Sequence, residues 1–136
     1  MYNVPEFANH FGIPVLISTA TWAVLGEKFD RPVLFSPPST VVFEGLTVDF
    51  HSLRFDSIDP IYLIVRDEGE SIGIVPDGKL TERTAEPLQK CNAVCLDKRP
   101  VSLAGLPSAL QKRLRTITNT AEEIKRLFPN NLPVIL

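Results

Sequence analysis

Histidine and cysteine are scarce in this chain: His10, His51, Cys91 and Cys95 are all it has among 136 residues. Two cysteines cannot staple a small fold, so a disulfide scaffold is excluded and a reducing cytoplasm is the expected setting. On a helix Cys91 and Cys95 would share a face; on a strand they would stand about 13 Å apart, too far to bridge. Structural zinc asks for four ligands, and here a second pair would have to come from the two histidines and scattered carboxylates. Buried cysteine filling space as a small apolar side chain is the plainer reading. No metal and no cofactor are expected.

An excess of either charge is also missing. Fourteen Lys and Arg stand against sixteen Asp and Glu, for a net charge of −2. Nothing therefore draws the chain as a whole to nucleic acid or to an anionic membrane. The first six residues lack the basic start of a signal peptide. The most apolar early stretch, residues 12–26, is interrupted by Pro14, Ser18, Thr19 and Thr21. It falls short of the roughly 20 apolar residues that span a bilayer, so no membrane partner is expected. The short motifs of familiar chemistry are missing too: there is no Gly-x-Ser-x-Gly, no phosphate-binding glycine loop ahead of a helix and no dinucleotide fingerprint.

What the chain does have is a globular balance, 44% hydrophobic and 22% charged residues, enough to close a core. One domain over residues 1–136 is expected, in four parts. Residues 1–30 carry short helix and strand signals, with a helical turn or two after Pro5, a strand near 13–17 and a second helix opened by Ser18 and Thr19. Residues 31–97 are β-rich. There Leu46, Val48 and Phe50 alternate with Thr47, Asp49 and His51, and the apolar phase then slips by one to Leu53 and Phe55. A one-residue slip inside one strand would turn its second half inside out, so a bulge or bend near His51 and Ser52 is the economical explanation. Residues 61–65 are apolar throughout, as in a central strand, and residues 67–70 turn the chain into a hairpin with 71–75.

The segment 105–128 is the strongest helical signal. Leu106, Leu110, Leu114, Ile117, Ala121, Ile124 and Phe128 recur at steps of four and three, one apolar seam. Thr120 with Glu123 matches a capping box, which argues for a break and leaves either one kinked helix or two consecutive ones. The tail 129–136 ends on Pro133-Val134-Ile135-Leu136, apolar residues that need a strand edge or a partner. The fold class read from these patterns is α+β: a mostly antiparallel sheet of about five or six strands, with a C-terminal amphipathic helix or two short helices packed on one face.

Three candidate surfaces follow. Asp49 and His51 share the polar face of one strand, with Arg54, Asp56 and Asp59 after them. A carboxylate beside an imidazole can orient it and raise its basicity, as in many general bases; the same alternation also describes an ordinary solvated sheet face. Lys112, Arg113 and Arg115 form a basic helical face that could contact phosphates, or simply complement a helix C-terminus. Leu110, Leu114, Ile117, Ile124 and Phe128 form a seam narrow enough to meet a second copy as well as the sheet. With so little concentrated chemistry, the expected function is a non-enzymatic protein-interaction or regulatory module. Nucleic-acid association through the basic face and a small enzyme around Asp49 and His51 are the alternatives. A protein partner or self-association is the expected mode of action, and nucleic acid is possible.

Overall fold

The computed structural model describes residues 3–25, 28–43, 45–53, 60–76, 78–96, 103–129 and 133–135. Eight strands and five α-helices are present among them. A helix α1 (Val4–Phe11) leads into strand β1 (Val15–Ser18), helix α2 (Thr19–Leu25) and strand β2 (Pro32–Phe35). Strands β3 (Ser39–Phe43), β4 (Leu46–Ser52), β5 (Ile61–Asp67) and β6 (Glu70–Val75) follow. Then come helix α3 (Glu82–Ala85), a 3-10 turn over Leu88–Lys90, strand β7 (Ala93–Leu96), helices α4 (Ser108–Ile117) and α5 (Ala121–Leu127), and the short strand β8 (Val134–Ile135).

The expected α+β class is observed. Strands β3 to β8 form one sheet in chain order, antiparallel from β3 to β6 and parallel from β6 through β7 to β8. The apolar tail thus finds a strand edge, where Val134 and Ile135 pair with Val94 and Cys95. In the turn between β5 and β6, Glu68 and Gly69 have φ of 45° and 91°. Two positive φ angles in a row give the turn whose twist suits a hairpin, and glycine takes the more demanding one. Strand β2 departs from the expectation: it leaves the large sheet and lies parallel to β1 in a separate two-stranded sheet. Parallel pairing needs a crossover, and α2 supplies it.

That small sheet explains the phase slip in β4. On one face of the large sheet, Val48 and Phe50 pack with Phe35 of β2, and Leu16, Val41, Ile61 and Leu63 gather around them. The Phe35 and Phe50 rings stack with centroids 3.7 Å apart. On the opposite face, Tyr62, Ile64, Val75, Val94 and Leu96 meet Leu80, Ala85, Leu88, Leu127 and Phe128, and Leu53 joins this second core. Both faces are covered here, so Leu53 reaches a core on the other side of the sheet from Phe50. Pairing is regular from Thr47↔Arg66 to Ser52↔Ile61, and the expected bulge is unnecessary.

The helical layer lies close to the strands because Gly73 has no side chain. A Cβ there would run into the Leu88 side chain. The segment 105–128 holds two helices, one of the two alternatives that the capping box left open. Thr120 accepts from the Glu123 amide, and the Glu123 carboxylate accepts from the Thr120 amide. Between the helices, buried Asn119 grips Leu80: its carbonyl oxygen accepts from the Leu80 amide at 2.7 Å and its amide donates to the Leu80 carbonyl at 2.9 Å. Lys79 adds an ion pair to Glu123 at 2.7 Å. Burial alone would raise the Glu123 carboxyl, but the hydrogen bonds from Lys79 and Thr120, with the charges of Lys79 and Arg126, hold it below its ordinary value. Replacing Asn119 with Ala would leave two buried backbone groups of Leu80 without partners. A loss of about 1–3 kcal/mol in urea unfolding is expected, with helix α5 the first element to lose hydrogen-exchange protection.

Candidate functional site

His51 and Asp49 both lie on the face of β4 turned toward the helices, near the outer edge formed by β3. The register places Asp49 opposite Ile64 and His51 opposite Tyr62 on β5, and Asp49 opposite Thr40 on β3. The His51 ring lies flat on the Tyr62 ring, with centroids 4.7 Å apart and planes 6° from parallel. Together with Pro38, Ser39, Thr40 and Phe50, the two residues line a shallow depression of about 340 Å³. The Ser39 hydroxyl is buried without a hydrogen-bond partner, and by register its side chain shares the Phe50 face rather than that of His51.

The carboxylate is committed away from the imidazole. One oxygen of Asp49 accepts from the Thr40 hydroxyl at 2.6 Å, and the other pairs with the Arg66 guanidinium. The structure therefore brings Asp49 and His51 to one depression without the orienting hydrogen bond that the sequence suggested. Burial lowers the His51 pKa below its ordinary 6.5, which keeps the ring neutral near pH 7 and able to accept a proton. Beneath it, burial, with the Cys91 charge adding to it, pushes the Tyr62 phenol up to about 12. Arg54, Asp56 and Asp59 lie outside the described residues.

A second concentration of polar groups sits at the carboxyl ends of the two parallel strands, a place where open α/β sheets commonly bind ligands. The Ser18 hydroxyl donates to that of Thr21 and accepts from the Thr21 amide, and the Thr19 and Ser36 hydroxyls share a 2.6 Å hydrogen bond. This knot ties the end of β1 to the end of β2. Its signal in the sequence was the hydroxyl run at 18–21, read there only as a helix cap. It contains no titratable group. Among the described residues, no three His, Cys, Asp or Glu side chains come together as a metal site.

The other sequence candidates are spread apart. Lys112, Arg113 and Arg115 lie on exposed positions of α4, a helix with no buried residue. Of the seam, Phe128 is buried in the helix-side core and Ile124 packs against it, whereas Leu114 and Ile117 are half-buried and Leu110 is exposed. Cys91 is buried and Cys95 half-buried, both free thiols. No described helix is long and apolar enough to cross a membrane.

No family model matches the sequence, and no curated protein does either. Solved structures do match. The chain is similar to Zn(2+)-bound PqqB from Methylobacterium extorquens, with TM-score 0.61 and 14% identity over 90% of this chain and 49% of that one. The fold also matches part of a metallo-β-lactamase-fold protein. YhfI from Bacillus subtilis, described by that fold name, gives TM-score 0.62 and 12% identity over 90% of this chain and 50% of its own. The short form of human tRNase Z gives 0.53 and 12%, over 98% of this chain and 70% of its own. The chain thus spans about half the length of the first two.

This likeness corrects the functional expectation. A non-enzymatic interaction or regulatory module was inferred because no compact motif appears in the sequence. Among the matched structures one is zinc-bound and one is a tRNase, and the likeness lies with such proteins rather than with interaction modules. A site assembled from distant strands leaves no contiguous motif, so the missing motifs carried less weight than they were given.

The lowered His51 pKa has a stability consequence. The folded state binds its proton less readily than the unfolded chain, so its contribution is fully present above pH 6.5 and is lost as pH falls through the folded value. Chemical denaturation of wild type and His51→Gln across that window checks this. Wild type should weaken more on acidification than the variant, and the imidazole should titrate below 6.5 by NMR.

Proposed function

We propose that the chain works as part of a hydrolase of the metallo-β-lactamase fold, and that His51 takes the proton from the attacking water. One observation carries the reading: the fold likeness covers 90% or more of this chain against proteins that include a zinc-bound one and a tRNase. His51 is the base because it is neutral near pH 7 and opens on the depression beside Ser39 and Thr40. In the proposed step, a ring nitrogen accepts a proton as the water oxygen adds to an ester centre, and the proton passes on to the leaving oxygen. Asp49, clamped by Thr40 and Arg66, fixes the floor of the depression rather than moving a proton.

Zinc enters such folds as a Lewis acid held by three or four His, Cys, Asp or Glu ligands. The described residues gather no such set. By themselves they do not fit the ion.

The test is hydrolysis of chromogenic phosphodiester, thioester and β-lactam substrates by the purified chain, with chelator or with added Zn²⁺ or Mn²⁺. Turnover above the blank is expected for one class. His51→Ala should lower kcat/KM by about 10²-fold or more, and the rate should rise with pH through the lowered His51 pKa. Absence of turnover on every class would overturn the hydrolase reading. Turnover indifferent to His51→Ala would overturn the role of His51.

A further inference from the structure

A recess of about 360 Å³ opens between the segment that follows β6, the first turn of α3 and helix α5. It shares no lining residue with the His51 depression. Its walls are fixed on both sides. Asn119 clamps both backbone groups of Leu80, and Leu80 and Leu127 are buried. Capping boxes at Thr81 and Thr120 set the first turns of α3 and α5. A recess held in this way exists before any ligand arrives, which lowers the ordering cost of binding.

Its charges are not balanced. Lys79, Arg83 and Arg126 line it against Glu82 and Glu123, which leaves one net positive charge. Glu123 is already satisfied, with one oxygen paired to Lys79 and the other accepting from the Thr120 amide. Arg126 stands close enough for its charge to be felt at Glu123, which places the guanidinium at the recess. Among the described residues neither Arg83 nor Arg126 has an ion pair. The half-buried Lys79 gives Glu123 one hydrogen bond, and an ammonium has three to give.

We infer that this recess holds the phosphate group of a small phosphate monoester, with Arg83 of α3 and Arg126 of α5 reaching its oxygens from opposite walls and Lys79 adding a third donor. The acceptor count selects the anion. Each guanidinium is a planar fork that takes an oxygen pair, and it stays charged at any working pH. Two forks and an ammonium need more oxygens than the two of a carboxylate. A phosphomonoester has three free oxygens and nearly two negative charges at pH 7, whereas a diester has two oxygens and one charge. The volume selects the ester over free phosphate: the recess falls within the range of small-molecule sites and leaves room for the group that carries the phosphate. The inference uses no residue of the proposed hydrolytic site and stands apart from the hydrolase reading.

NMR titration of the amides and isothermal titration calorimetry, at pH 7.5 and constant ionic strength, test it with methyl phosphate, dimethyl phosphate, inorganic phosphate and acetate. Methyl phosphate should give saturable shifts centred on Thr81, Glu82, Arg83 and Arg126. It should bind at least as tightly as inorganic phosphate and about tenfold or more tightly than dimethyl phosphate or acetate. Arg83→Gln and Arg126→Gln should each weaken it about tenfold with the urea midpoint unchanged, while Lys112→Gln on α4 should bind as wild type does. Shifts that never saturate, or affinity indifferent to both arginine variants, would overturn the site. Equal binding of acetate or dimethyl phosphate would overturn the choice of a phosphate monoester, and inorganic phosphate binding markedly tighter than methyl phosphate would overturn the ester.

Discussion

Everything in this molecule depends on a central strand that is apolar on both sides. Within β5, Tyr62 and Ile64 point into the helix-side core with 1% and 0% exposure. Ile61 and Leu63 point into the cluster under β2. Full burial of a side chain such as Ile64 contributes about 1.5–3 kcal/mol, and a strand with two such faces must have a layer on each. The helices supply one layer in full. The β1–β2 unit supplies part of the other.

That constraint also orders the site. β4 lies beside β5, so its inward residues on the helix side are drawn into the same layer, which half-buries His51 and lays it on Tyr62. Its polar neighbour Asp49 is satisfied by Thr40 and Arg66 from the strands on either side. The resulting environment favours a neutral imidazole at an accessible edge. It does so through burial, not through a charged partner. The chemistry that the described residues offer is therefore that of a weak base and hydroxyls. Tight metal binding would need ligands that these residues do not bring together.

The sequence made some of this legible and hid the rest for identifiable reasons. The β5–β6 hairpin, the capping box at Thr120 and the edge-seeking tail were readable because each is governed by local chemistry: turn residues, a side-chain cap and an apolar run. The parallel pairing of β1 with β2 was not, because strands separated by a helix carry no local mark of their neighbour. The shift from Phe50 to Leu53 was misread as a bulge because a strand between two layers breaks the one-sided alternation on which that reading relied. The site was half-readable: His51 and Asp49 were visible as a pair on one face. That Asp49 turns to Thr40 and Arg66 depends on register across three strands. The functional expectation failed because it counted motifs, whereas the likeness to metallo-β-lactamase-fold proteins resides in the arrangement of elements at 12–14% identity.

Native-state hydrogen exchange followed by NMR tests the two-faced strand most directly. The account predicts that the amides of Tyr62, Leu63 and Ile64 exchange last, together with that of Val94, and only through global unfolding. Exchange of the β5 amides as fast as those of α1, at denaturant concentrations well below the unfolding midpoint, would contradict it.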